Sequence, residues 1–274
     1  MSETNQSLNL TSVQDALNEI DAQDISYSPE EIQTIREVKR RLEEEDKLSY
    51  VNLRFLAFTV VICKNRVEDS LQKYRKLIKA MSSCGMSIIE SDEELWSDKN
   101  MEDHLRNYYA ACGVDFENRQ IMWIRGGEPI RECDEKSAIR AGIVYVIAVH
   151  ADNVSLRQGI TFVLDLSKSK VRERSKNESN LQRINQSYPL RPQAIYMAGT
   201  SAAMRITVNA IIRFASLFTK EKVLQRIKFV SMEEVMSLVP KQSGPQYLGG
   251  FGGDIDDVVE WARSRYFKMP LPTL

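Results

Sequence analysis

The sequence is poor in the residues that build most catalytic and metal centres. It holds 2 histidines, His104 and His150, and 4 cysteines, Cys63, Cys84, Cys112 and Cys133, none in a C-x-x-C pair. A zinc site needs three or four such ligands at close spacing, and this chain does not offer them. So few cysteines in 274 residues do not make a disulfide framework; they read as buried or incidental thiols of a reducing compartment. Net charge of one sign is also missing: the formal charge is -1, so no bulk basic field points to nucleic acid, and any attraction to a membrane must come from local patches. Long apolar runs are absent. The longest, Ala141 to Val149, falls far short of the roughly 20 residues that a membrane span needs. The first residues, MSETNQSLNLTS, lack the basic-then-apolar order of a signal peptide. No G-x-S-x-G elbow, H-E-x-x-H pair or G-x-x-x-x-G-K-[ST] loop occurs. The expectation is a cytoplasmic protein that is not an enzyme and has no metal or cofactor.

What is present is a helical beginning followed by alternating strands and helices. Residues 1–10 read as a tail, and Val13, Ala16, Leu17 and Ile20 keep a helical period. Ser28-Pro29-Glu30-Glu31 is a helix start, with a serine cap, proline at the first position and glutamate three residues after the cap. Helices are expected next near Ser49 to Val60 and near Val67 to Ser82. A polar stretch from Ser87 to Arg106 carries the domain boundary. Beyond it, strands are expected at Gln120 to Ile124, Gly159 to Leu166, Ala194 to Met197 and Ile227 to Val230. Helices are expected at Glu132 to Val149, Leu181 to Gln186, Thr200 to Phe218 and Met232 to Leu238, and a last one from Asp254 to Tyr266. Strands alternating with helices imply an α/β fold with a mostly parallel sheet. The expected division is 1–27 (tail and first helix), 28–95 (helical subdomain), 96–253 (α/β domain) and 254–274 (C-terminal helix and tail).

Several segments resemble the CRAL-TRIO lipid-transfer family in order and spacing. Asn52-Leu-Arg-Phe-Leu56 is similar to the family's "L-L-R-F-L-R-A-R" helix. Gly159-Ile-Thr-Phe-Val-Leu-Asp-Leu166 is similar to its "G-x-x-x-x-x-D-L" strand, and Ser187-Tyr-Pro-Leu-Arg191 to its "Y-P-x-R". Leu217 to Ile227 resembles the segment that follows the family's gate helix, and Pro245 to Gly250 its closing "L-P-x-x-Y-G-G". The likeness covers residues 30–250. It implies a helical N-terminal domain packed on a small α/β domain whose sheet floors a lidded lipid pocket. It also implies an intracellular carrier of one hydrophobic molecule, with a non-transferring scaffold on the same fold as the alternative. Tocopherol, retinoid, terpenoid, phosphatidylcholine and phosphoinositide (phosphatidylinositol bisphosphate among them) all stay open as ligands. Ala57-Phe58-Thr59 stand where the family continues with basic residues, so inositol-lipid specificity is not carried over.

Candidate site residues follow. Thr200 to Phe218 is apolar on most of its surface, which marks a helix that is deeply buried or that covers an apolar ligand. Pattern alone favours a plain core helix; the resemblance makes it the lid. Met204, Val208, Ile211, Ile212 and Ala215 form its apolar stripe. Trp123, Tyr145, Phe162, Leu164, Ile195 and Met197 complete the expected pocket. Which face of the strands looks inward stays open in the sequence. His150 is a candidate polar contact, although a lone histidine of this kind is more often capped or exposed than ligand-binding. Lys168, Lys170, Arg172, Arg213, Lys220 and Lys222 are candidates for phosphate or anionic-membrane contact. The glycines at 249–253 miss the dinucleotide spacing and read as a turn. The expected partners are a hydrophobic small molecule or phospholipid and, transiently, an anionic membrane, with no nucleic acid; the chain is expected to be a monomer.

Overall fold

The structure is a computed structural model, and it describes residues 25–125, 134–168, 176–200, 224–250 and 257–274. The helix expected at Thr11 to Ile20, the lid beyond Thr200 and most of the basic loop after Asp165 lie outside these residues.

Helix α1 spans Pro29–Glu44. Ser28 Oγ accepts from the Glu31 backbone N–H at 3.2 Å, and the Glu31 carboxylate accepts from the Ser28 N–H at 2.7 Å. This reciprocal cap satisfies two orphan donors of the first turn. Ile35, Val38 and Leu42 then fall on one face and are fully buried. Helix α2 (Leu53–Ile62) starts at an Asn52 cap and is buried on every side. Ala57, Phe58 and Thr59 therefore belong to the core and not to a headgroup site. Arg54 on the same helix is buried too, paired with Asp92 at 3.1 Å and lying over the Tyr266 ring. Helix α3 (Val67–Met81) adds Leu71, Tyr74, Leu77 and Met81.

The polar stretch that carries the expected boundary contains two short helices, α4 (Asp92–Ser97) and α5 (Lys99–Tyr108). Caps at Ser91 and Asp98 start them, and Leu95, Met101 and Leu105 are their buried anchors. Strand β1 (Tyr109–Ala110) follows directly, then β2 (Ile121–Arg125). Helix α6 (Glu135–Val149) is buried almost all round, as its apolar second half requires. Its Arg140 pairs with Glu90 at 2.5 Å and Asp98 at 2.7 Å, so the first-half loops and helices are tied to it by charge as well as by packing. Gly142 on α6 lets Tyr188 approach; a Cβ there would lie 2.3 Å from the phenol oxygen, which donates to the Ile139 carbonyl.

Helix α7 (Asn153–Gln158), strand β3 (Ile160–Asp165), helix α8 (Lys176–Asn185) and strand β4 (Pro192–Ala198) come next. Strand β5 (Ile227–Val230) and helix α9 (Met232–Leu238) have the bounds expected from the sequence. Helix α10 runs Val258–Lys268 from an Asp257 cap, and the Asp254 start expected from the sequence lies outside the described residues. The sheet order is β1-β2-β3-β4-β5, with β1 antiparallel to β2 and every other pair parallel. This is the expected α/β architecture with one extra, two-residue edge strand.

One hydrophobic core joins α1 to α6, α10 and one face of the sheet. A smaller one lies on the opposite face, under α9 and the turns that follow it.

Candidate functional site

The register decides which side chains share a face. Side chains alternate along a strand, and parallel neighbours in register point the same way. Met122, Phe162, Ile195 and Ile227 are aligned across β2 to β5, and so are Ile124, Leu164, Met197 and Phe229. These eight side chains make two rows on one face. None carries a charge or a hydrogen-bonding group other than the thioether sulfurs. Every charged residue of these four strands (Arg125, Asp165 and Lys228) is on the other face.

The two faces are packed differently. On the second face, Ile121, Trp123, Val163, Ala198 and Val230 are buried against Val235 and Val239. On the first, Met122 lies in the large core, with Ile124 and Phe162 packed at its border. Leu164, Ile195, Met197, Ile227 and Phe229 enter neither core of described residues. Four of these five are half-buried, and Ile195 is 8% exposed. An apolar surface that the cores of the described residues do not take up is the raw material of a site for an apolar ligand.

Phe162, Leu164, Ile195 and Met197, four of the expected pocket residues, are thus brought together on this floor. Trp123 is not among them: the period of two puts it on the opposite face, fully buried, where its indole N–H donates to the Tyr247 hydroxyl at 2.9 Å. Tyr145 projects from α6 onto the backbone. Its hydroxyl accepts from the Trp123 N–H at 3.0 Å and donates to the Ala110 carbonyl at 2.8 Å, fastening β1 and β2 to the helix. Burial holds this hydroxyl well above its ordinary pKa. Met122 is pliable enough in sequence to suit an irregular ligand, though an ordinary core role is as plain a reading; sequence reasoning did not pick out Ile124, Ile227 and Phe229, and the signal that finds them is the register, which a single sequence does not contain. The stripe Met204, Val208, Ile211, Ile212 and Ala215 lies outside the described residues. So do Lys170, Arg172, Arg213, Lys220 and Lys222, while Lys168 is an exposed residue after β3.

The histidines are structural in their surroundings. His150 is the C-cap of α6 and is fully buried, with its ring 5.0 Å from Phe58 and Nδ1 2.8 Å from the Val146 carbonyl. Burial lowers its pKa to about 4, and does the same to His104, stacked on Tyr108. Among the described residues, no group of His, Cys, Asp or Glu is placed to hold a metal ion. Among the described residues, no helix is long and apolar enough to cross a membrane.

Helices on a short, mostly parallel sheet, with one apolar sheet face only partly packed by the described residues, define an α/β fold. The CRAL/TRIO domain family model matches residues 107–250. That is more than half of the chain, and the chain belongs to this family, one of lipid-binding and lipid-transfer proteins. No curated protein matches it.

Proposed function

We propose that the chain binds one hydrophobic molecule on the floor formed by Met122, Ile124, Phe162, Leu164, Ile195, Met197, Ile227 and Phe229 and carries it between membranes. The observation that carries this is the asymmetry of the sheet: five apolar side chains on one face join neither core of the described residues, while Ile121, Trp123, Val163, Tyr196, Ala198 and Val230 on the other are packed together. Burying a CH₂ group is worth about 0.8 kcal/mol, so a long apolar molecule needs such a surface, and a cover, to cross water. The cover is assigned from sequence to the apolar segment Thr200 to Phe218 between β4 and β5. Basic residues flanking that segment, Lys220 and Lys222, and those after β3, Lys168, Lys170 and Arg172, would draw the protein to anionic surfaces. The reading includes no chemistry on the ligand: the floor holds no acid, base or nucleophile.

A transfer assay tests it. Donor vesicles carrying a fluorescent lipid and unlabelled acceptors are mixed with the protein, over a panel of tocopherol, retinoid, phosphatidylcholine and phosphoinositide. Catalysed transfer of at least one is expected. A protein that binds vesicles or protein partners yet moves none of the panel, and carries no molecule on extraction, fits the alternative of a scaffold and contradicts the carrier.

A further inference from the structure

The C-terminal ends of β2 and β3 hold a charged pair that does not pair. Arg125 and Asp165 are the last residues of the two strands, are register partners and share a face. Such neighbours ordinarily form an ion pair across the strands. Here Tyr247 comes between them. Its hydroxyl donates to Asp165 Oδ2 at 2.7 Å and accepts from the Trp123 indole at 2.9 Å. Ser167 supplies Asp165 Oδ1 with its N–H at 2.9 Å and its hydroxyl at 2.6 Å. The carboxylate is therefore satisfied by three neutral donors. Arg125 lies with its Cζ 4.5 Å above the Tyr247 ring, enters no ion pair among the described residues, and keeps a buried Nε with no hydrogen-bond partner.

The result is a half-buried guanidinium held over an aromatic ring, with no ion-pair partner among the described residues. A planar fork fixed in this way matches the oxygens of a phosphate group better than a mobile lysine does. Tyr247 itself is half-exposed, so the place is open to solvent. We propose that Arg125, on its Tyr247 platform, is a contact for a phosphate group from outside the chain, supplied by a lipid headgroup or by free phosphate. Tyr247 makes the contact possible twice over: its ring orients the guanidinium, and its hydroxyl occupies the carboxylate that would otherwise neutralise it. The site lies on the face of the sheet away from the apolar floor, so it stands or falls separately from the carrier reading.

The test uses inorganic phosphate first. Thermal melts in phosphate, against sodium chloride at equal ionic strength, should show an extra rise in melting temperature for the wild-type chain. The increment should vanish in Arg125→Gln. It should shrink in Tyr247→Phe, which keeps the ring but frees Asp165 to turn to Arg125. It should grow in Asp165→Asn, which removes the competing charge. Co-sedimentation with phosphatidylcholine vesicles, with and without phosphatidic acid, separates the two sources: a phosphatidic-acid-dependent gain lost in Arg125→Gln assigns a headgroup, and a phosphate response without that gain assigns the free ion. Circular dichroism checks that each variant is folded. If Arg125→Gln is folded and matches the wild type in both arms, or if Asp165→Asn binds phosphate less well, the proposal is overturned.

Discussion

The two faces of one sheet are made from the same strands and differ in what closes them. Val163 and Leu164 are adjacent in sequence, both aliphatic and both central. Val163 is fully buried against Trp123, Tyr196 and the residues after β5, whereas Leu164 joins neither core of the described residues. Hydrophobicity alone does not separate a packing residue from a ligand-contacting one. Closure by other elements does, and closure is a property of the register and of what lies over each face. The contrast predicts that substitutions on the packed face cost stability and those on the open face cost ligand.

The largest effect is expected at Val163→Asp, which places an unpaired charge in the packed core. Losses of several kcal/mol are typical of such changes, and urea titration should show the variant largely unfolded. Gly159→Ala should come close. Its φ is +104°, and a Cβ would lie 2.1 Å from the Arg191 carbonyl that accepts from Ile160 at the start of β3. A drop of at least about 2 kcal/mol is expected, with loss of the β3–β4 register seen by hydrogen exchange. Acid comes next and acts on the large core that borders the open face. His104 and His150 titrate near 4 in the folded chain, against 6.5 ordinarily, because burial disfavours their charged forms. The unfolded chain therefore takes up protons first as pH falls. Their contribution is fully present above pH 6.5 and is lost as pH drops through about 4, on the order of 3 kcal/mol for each ring. His150→Gln should flatten the stability–pH profile in this window, and an unchanged slope would contradict the assignment.

The smallest stability effect is expected on the open face. Leu164→Ala and Met197→Ala should each cost the ligand-free protein about 1 kcal/mol or less, below the 2–5 kcal/mol usual for a packed leucine or methionine. The same variants should shorten the retention of a bound apolar molecule. A packed-core cost for Leu164→Ala in the ligand-free protein would erase the difference between the faces.

Much of the fold was legible because local chemistry announced it. Ser28-x-x-Glu31 and Ser231-x-x-Glu234 are reciprocal caps in the structure, and the two helices they start begin where the sequence puts them. Strand β5 is bounded by that second cap. The misses have local causes too. Helices α4 and α5 hide in a polar stretch because each buries only one or two apolar side chains, Leu95 on one and Met101 with Leu105 on the other. Strand β1 is two residues long and has no period to detect. The shared sheet face was half legible: Phe162 with Leu164 and Ile195 with Met197 could be paired by alternation within a strand. Joining the two strands, and excluding Trp123, needs the pairing of Met122 with Phe162 and of Phe162 with Ile195. Tyr247 lies far along the chain from its partners Trp123 and Asp165, and nothing local in its sequence points to either.

Native mass spectrometry of the purified chain, beside a Leu164→Asp/Met197→Asp variant, tests the apolar floor most directly. The account predicts one co-purifying hydrophobic molecule per wild-type chain, and a variant of unchanged circular dichroism that carries none. A wild-type chain that is empty and takes up no apolar molecule on incubation, or a folded variant that carries as much as the wild type, would contradict it.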